Sequence, residues 1–334
     1  MIVSKRLSSY INEYHARLYN AMQSGDLRAF MREYKTLQYN SLIFRVSSRM
    51  FETFVPITYM CREGLAWERA TEKFGYAQAA RKMLERCDLD IRYALGSHTL
   101  QVLESEAFLS YGNHTSGFEH FPFDALFQRE DVYHVAASFI GKLGPALGKR
   151  LIYVQNTVER TSAKNWQEKI ADMIGDFVWP TTTDRSHMRS NLEALKLAAN
   201  KIAKEGGGVN VFPTGSVKPS AEWQSGLGWI VKQILSQPQT RKIYIVPIVY
   251  GLSPIHILAS EFLPSLHLIK LLAQVETRLF EPSPYVFVPR AIALEDLGVS
   301  RSDTANEITL RLKDIWREVY QTATKKFTKW PRIH

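Results

Sequence analysis

Cysteine is nearly absent. Cys61 and Cys87 are the only two in 334 residues, they form no CxxC pair, and no histidine stands at metal-ligand spacing from either. A disulfide framework or a zinc site therefore has no support, and two buried, reduced thiols are expected. Long unbroken apolar runs are missing too: the one charge-free window of 18 residues, the length a membrane-spanning helix needs, is 243–260, and Pro247, Gly251 and Pro254 break it. Any membrane contact is expected to be peripheral. The most apolar stretches, 41–60 and 257–275, are broken by charge or proline and read as buried core rather than interfacial elements. The first residues lack the apolar stretch and small-residue site of a signal peptide, which gives a cytoplasmic expectation. There is no Arg/Lys run of the kind that forms a nucleic-acid-binding tail, no internal repeat and no low-complexity segment. A G-x-S-x-G nucleophile elbow is also absent, which counts against a serine esterase.

What is present is an ordinary globular composition, 45% apolar and 22% charged, with a formal net charge of +9. That balance favours acidic partners: anionic lipid headgroups, nucleic acid, nucleotide-bearing thioesters or an acidic carrier protein. Charge alone does not choose among them, and the scattered basic residues disfavour nucleic acid.

The length accommodates one large core with a smaller appended unit. Residues 1–90 carry helical apolar spacing, for instance Leu7, Tyr10, Ile11, Tyr14 and Leu18, and predict an N-terminal helical domain. Residues 91–334 change texture to short apolar runs separated by helical stretches, predicting an α/β domain with a central mixed sheet flanked by helices. Candidate strands are 100–103, 107–112, 132–138, 150–155, 208–213, 243–251 and 285–290, several of them apolar on both faces as a covered sheet requires. Between them, the stretch 186–208 carries Leu192, Leu195, Leu197 and Ile202 and stops at a triple glycine, and predicts a helix. A final helix near 302–320 aligns Ile308, Leu312, Ile315 and Val319 on one stripe and should pack on the sheet.

The stretch YGNHTSGFE, residues 111–119, carries the chemistry. His114 follows a candidate strand and Gly117 permits a tight turn, so the imidazole is expected where the chain leaves the sheet, a place where sites cluster. Glu119 lies five residues on, close enough in such a turn to orient His114 and raise its basicity. An oriented histidine can take a proton from an alcohol near neutral pH. The plain alternative is a polar Asn113-His114 turn with Glu119 favouring a helix start. A second stretch, FPTGS at 212–216, should form a turn in which Pro213 rigidifies the bend and Gly215 lets backbone N–H groups approach an anion.

Taken in order, NHTSGFE, FIGKLGPALGKRLIYVQNTVER, VNVFPTGSV and IYIVPIVYG resemble the four blocks of the glycerolipid acyltransferase family, which includes glycerol-3-phosphate and lysophosphatidate acyltransferases. The resemblance covers roughly residues 100–255. In that family the first block is Asn-His, four residues and Asp; the third is Phe-Pro-Glu-Gly-Thr-Arg; the fourth is Val-Pro in an apolar strand. It implies His114 as general base with Glu119 as its carboxylate partner, Asp124 being the fallback partner. It also implies acceptor contacts from Asn113, Arg160 and the turn Phe212, Pro213, Thr214, Gly215, Ser216, with Lys218 as the nearest cation. Val246 and Pro247 would line an acyl channel. Three departures stand out. Glu119 replaces the family's Asp, lengthening its reach by one methylene and loosening the pair or moving the backbone. Thr214 replaces its Glu, and Ser216 and Val217 replace its Thr-Arg, so Lys218 would offer charge without an arginine's bidentate fork. The N-terminal helical block resembles, in position only, the domain preceding the catalytic domain of soluble plant-type glycerol-3-phosphate acyltransferases.

The function implied by the resemblance is transfer of a fatty acyl group from acyl-CoA or acyl carrier protein to a hydroxyl of glycerol-3-phosphate, lysophosphatidate or a related lipid precursor. No metal, bound cofactor or covalent intermediate is expected, and peripheral contact with an anionic membrane surface, on its inner face, fits the basic charge. Two alternatives remain: a catalytically weakened relative that binds lipid or acyl thioester, and a thioester or ester hydrolase using the same histidine with water.

Overall fold

The computed structural model describes residues 13–14, 16–18, 20–21, 27–54, 57–155, 185–215, 222–238, 240–260, 267–279 and 283–327. Among the described residues, helical positions at 13–14, 16–18 and 20–21 are followed by the helices α1 (Leu27–Asn40), α2 (Leu42–Phe54), α3 (Ile57–Phe74) and α4 (Tyr76–Cys87). In α1 the apolar residues recur three and four apart, so Leu27, Phe30, Met31, Tyr34 and Leu37 share one buried stripe. That stripe packs with Phe44 and Cys61.

The remainder is built on an eight-stranded mixed sheet, the α/β class expected. Its strands are β1 (Arg92–Leu95), β2 (Ala107–Gly112), β3 (Val132–Ala137), β4 (Leu151–Val154), β5 (Gly208–Val211), β6 (Ile243–Gly251), β7 (Tyr285–Val288) and β8 (Ile292–Ala293). The order is β1-β7-β6-β2-β5-β3-β4, with β8 also paired to β6. Strands β6, β2, β5, β3 and β4 run parallel. β7 and β8 run against β6, and β1 is parallel to β7.

Both faces are covered. On one, Leu109, Val209, Val211 and Ile245 pack with α8 (Arg185–Ala203), α9 (Gly226–Leu235) and α10 (Ala305–Phe327). On the other, Phe108, Val246, Ile248 and Val288 pack with α5 (Ser97–Ser105) and with Phe123 of α6 (His120–Asp124). This two-sided burial is why β2 and β6 read as nearly unbroken apolar runs. The final helix buries Ile308, Leu312, Ile315 and Val319 as its spacing predicts. Tyr111 Oη donates to Leu312 O (3.1 Å) and Trp316 Nε1 to Ile248 O (2.7 Å), fixing it to the sheet. The helix foreseen at 186–208 is α8; Ala198, Ala199 and Ile202 make its core contact, while Leu192 and Leu197 are exposed.

One candidate strand is wrong. Residues 100–103 lie in α5, where Thr99, Val102 and Leu103 are the buried positions. A four-residue apolar run has no period, and here the buried positions fall at helical spacing. The real first strand, β1, is a four-residue edge strand opened by an arginine, and β8 is only two residues long, so neither gives an apolar run long enough to read as a strand. Leu7, Tyr10 and Ile11 lie outside the described residues.

The helical region and the sheet region share a hydrophobic cluster in which Trp67, Tyr76 and Met83 meet Phe121, Leu147 and Leu252. A buried carboxylate adds a polar tie: Glu68 of α3 accepts from Ala146 N (2.8 Å) and Leu147 N (2.9 Å) at the start of α7 (Pro145–Gly148). Among the described residues no helix is long and apolar enough to cross a membrane.

Glu68→Ala leaves both amides without their acceptor and is expected to lower unfolding free energy by about 1–3 kcal/mol, measured from urea titrations. Cys61 and Cys87 are both buried and free. Burial, with Glu52 and Glu63 respectively as the next contributors, pushes each thiol up to about 12. Neither is expected to react with iodoacetamide at pH 8 until the protein is unfolded.

Candidate active site

Strands β2 and β5 are hydrogen-bonded neighbours running the same way, with Tyr111 opposite Val211. Their C-terminal ends therefore deliver the 113–119 and 212–215 turns to one place. Where β2 stops pairing through its backbone, Asn113 continues with its side chain: Nδ2 donates to Tyr250 O (2.8 Å) and Oδ1 accepts from Tyr250 N (2.9 Å). The amide acts as a surrogate peptide clamped to β6, a structural use of a residue expected to touch substrate. Thr115 Oγ1 extends the clamp to Leu252 O (2.6 Å).

The turn itself closes on Glu119. Its Oε1 accepts from Thr115 N (2.6 Å), Ser116 Oγ (2.9 Å) and, in a very short contact, Ser116 N; Thr115 Oγ1 also lies 2.9 Å away, but its one proton is directed at the closer Leu252 O. Gly117 provides the left-handed backbone (φ 81°) that lets the chain double back. Oε2 remains for His114, whose Nδ1 is 2.9 Å away. The Glu119 side chain is wholly buried, whereas that of His114 is 22% exposed. Of the two consequences expected from its replacement of Asp, a looser pair is not seen: the extra methylene leaves the contact at 2.9 Å.

Burial acts to push the Glu119 carboxyl up, but the hydrogen bond and charge of His114, with the turn's backbone donors, outweigh it and bring it down to about 2. Glu119 is thus an ionised acceptor, so the proton of a neutral His114 sits on Nδ1 and the lone pair on Nε2. No hydrogen bond to Nε2 is made among the described residues. Phe212 stacks on the imidazole at 4.5 Å with an interplanar angle of 17°, fixing the ring plane.

After Phe212 the chain makes a tight turn, with Gly215 N donating to Phe212 O (3.0 Å) and Gly215 left-handed at φ 57°. Pro213 is buried, Thr214 partly so and Gly215 exposed. Arg160, Ser216 and Lys218 lie outside the described residues. Arg150, an alternative basic residue before β4, is buried and paired with Glu130. Val246 sits in the sheet core with Phe108 and Val288, and Pro247 is buried opposite Tyr111, so neither lines an open channel.

Asp124 does not reach His114 as a fallback partner. It lies at the end of α6 and its Oδ1 is 2.7 Å from His134 Nε2 on β3. The residues that sequence reasoning passed over are Thr115 and Ser116, which hold the carboxylate. Their signal is present in hindsight, as hydroxyl residues three and four positions before an acidic one favour such turns.

The neighbouring His120 packs on Trp67, with ring centroids 5.0 Å apart, and its Nε2 has no hydrogen-bond partner among the described residues. Burial, assisted by His134, lowers its imidazole to about 3.

Both shifts make the fold acid-sensitive. The unfolded chain protonates His120 first, so stability falls as pH drops from 6.5 toward 3. Glu119 stabilises fully above 4.5, and that contribution is lost as pH falls toward 2. In urea titrations from pH 7 to pH 3, His120→Phe is expected to flatten the loss from 6.5 downward, whereas Glu119→Gln is expected to flatten only the part below 4.5.

No protein-family model matches the chain, and no curated protein matches it. Among solved structures it is similar to the 1-acyl-sn-glycerophosphate (LPA) acyltransferase PlsC from Thermotoga maritima, with 11% identity, a TM-score of 0.41, and coverage of 90% of this chain and 95% of that one.

Proposed function

We propose that the protein is an acyltransferase that moves an acyl group from a thioester to a hydroxyl, with His114 as general base. The observation that carries this reading is the buried, turn-locked Glu119 holding His114 Nδ1 at 2.9 Å, so that in the neutral ring the lone pair lies on Nε2, the other nitrogen of a partly exposed side chain. In the proposed step, Nε2 takes the acceptor's hydroxyl proton as its oxygen attacks the thioester carbonyl carbon. The tetrahedral intermediate then breaks its C–S bond, and the leaving thiolate takes the proton back from the imidazolium. Positioning acceptor, base and thioester together supplies much of the rate. Glu119 stabilises the transient imidazolium.

The finer assignments rest on the order of the sequence blocks. The acceptor is a glycerol-3-phosphate, lysophosphatidate or related lipid precursor, contacted by Arg160, Ser216, Lys218 and the Phe212–Gly215 turn. The donor is acyl-CoA or acyl carrier protein, drawn by the net charge of +9, which also suits peripheral contact with an anionic membrane. The tight His114–Glu119 pair counts against one of the three departures that favour a weakened, binding-only relative; Thr214 and the missing arginine of the third block are the other two.

The test is transfer of radiolabelled palmitate from palmitoyl-CoA or palmitoyl carrier protein to a panel of acceptors with and without a phosphate. Wild type is expected to acylate a phosphate-bearing acceptor, and His114→Ala to lose about 10²–10⁴ of that rate. Release of free palmitate with no acceptor labelled makes the protein a hydrolase. Folded wild type that neither transfers nor hydrolyses overturns the catalytic reading.

A further inference from the structure

Behind the candidate site, a chain of buried polar side chains crosses the sheet. Ser110 on β2, Asn210 on β5 and His134 on β3 sit in register on adjacent strands, and all three are buried, as is Asp124. Ser110 Oγ donates to Asn210 Oδ1 (3.0 Å), with a longer contact to Val209 O (3.3 Å). Asn210 Nδ2 points at His134 Nδ1 (3.4 Å), which makes Nδ1 the acceptor and puts the imidazole proton on Nε2. That proton is directed at Asp124 Oδ1 (2.7 Å). Every donor runs the same way, and the chain ends on a carboxylate.

The surroundings are otherwise those of an apolar core, with Phe108 and Phe123 on the same face and Phe123 edge-on to His134. Tyr76 of α4 stacks on His134 at 5.9 Å, and the His120 ring lies 6.4 Å away. Arg150 and Glu130 are the charges acting on Asp124, whose Oδ2 has no hydrogen-bond partner among the described residues. Apolar residues of similar volume would fill such a space at lower desolvation cost, so a buried polar chain is better explained by what it aligns than by the stability it adds.

What it aligns is α6. This helix is five residues long, with Glu119 immediately before it and Asp124 as its last residue. Phe123 N donates to Glu119 O (3.2 Å), so the two carboxylate residues are the ends of one short strut. One end meets His114 and the other His134. We infer that His134 and Asp124 are positioning residues, which anchor α6 to β3 and so hold Glu119 at the distance from which it orients His114. The inference rests on reading His114 as the base, but it concerns a hydrogen bond that can be observed without turnover.

The test uses selectively ¹⁵N-histidine-labelled full-length protein and the Nδ1–H proton resonance of His114, assigned by its loss in His114→Asn. In wild type it is expected far downfield and protected from solvent exchange. His134→Leu breaks the anchor at similar volume, and Asp124→Asn removes its charge without changing its shape. Each is expected to move the His114 resonance upfield and speed its exchange at least tenfold. His134→Gln, whose amide nitrogen replaces Nε2 as a donor to Asp124, is expected to restore the signal. Should His134→Leu fail to fold, Asp124→Asn and His134→Gln carry the comparison. An unchanged His114 resonance in a folded variant that lacks the anchor overturns the inference, whatever its transfer activity. A wild type with the resonance intact but no transfer overturns the proposed reaction and leaves the anchoring standing.

Discussion

The buried carboxylate of Glu119 is the constraint around which the candidate site is arranged. Removing an ionised carboxylate from water is tolerated only where hydrogen bonds replace its hydration. Four donors do so here: the His114 imidazole, the amides of Thr115 and Ser116, and the Ser116 hydroxyl. The bonds that satisfy the charge also shape the turn and fix the imidazole tautomer. Solvation of the carboxylate and orientation of the base are therefore one arrangement.

That arrangement needs a rigid platform. Asn113 and Thr115 fasten the turn to the end of β6, and Phe212 from the end of β5 fixes the imidazole plane. These strands flank β2 in the most buried part of the sheet. The helical region braces the same side through the Trp67 cluster, in which Phe121 of α6 takes part. Residues 57–87 thus bear on the site through packing, with no side chain in hydrogen-bond contact with His114 or Glu119 among the described residues.

How much of this was legible in the sequence follows from the range of each interaction. Strands apolar on both faces announced themselves at 107–112, 208–213 and 243–251, because burial on a covered sheet imposes that pattern. The edge strand β1, which has no such burial, did not. The five-residue separation of His114 and Glu119 was readable because their contact is local. Asn113 shows the limit: the same amide serves a substrate or a neighbouring strand, and only its two bonds to Tyr250, 137 residues away, decide. Asp124 misled for the same reason. Its partner is on β3, and strand order is not written in local spacing.

The glutamate at position 119 changes its meaning in this light. Judged by reach alone, one methylene more than aspartate looks like a fault in a pair that must be held closely. The carboxylate has two tasks, however, and they lie in different directions: Oε1 turns back to the amides of Thr115 and Ser116 while Oε2 faces His114. The longer side chain spans from the start of α6, where its own backbone carbonyl is engaged by Phe123 N, to both targets. At this length the carboxylate reaches both targets while fully buried and ionised. Substituting one acid for the other is therefore not a measure of a weakened site, because the length of the acid and the path of the turn are fixed together.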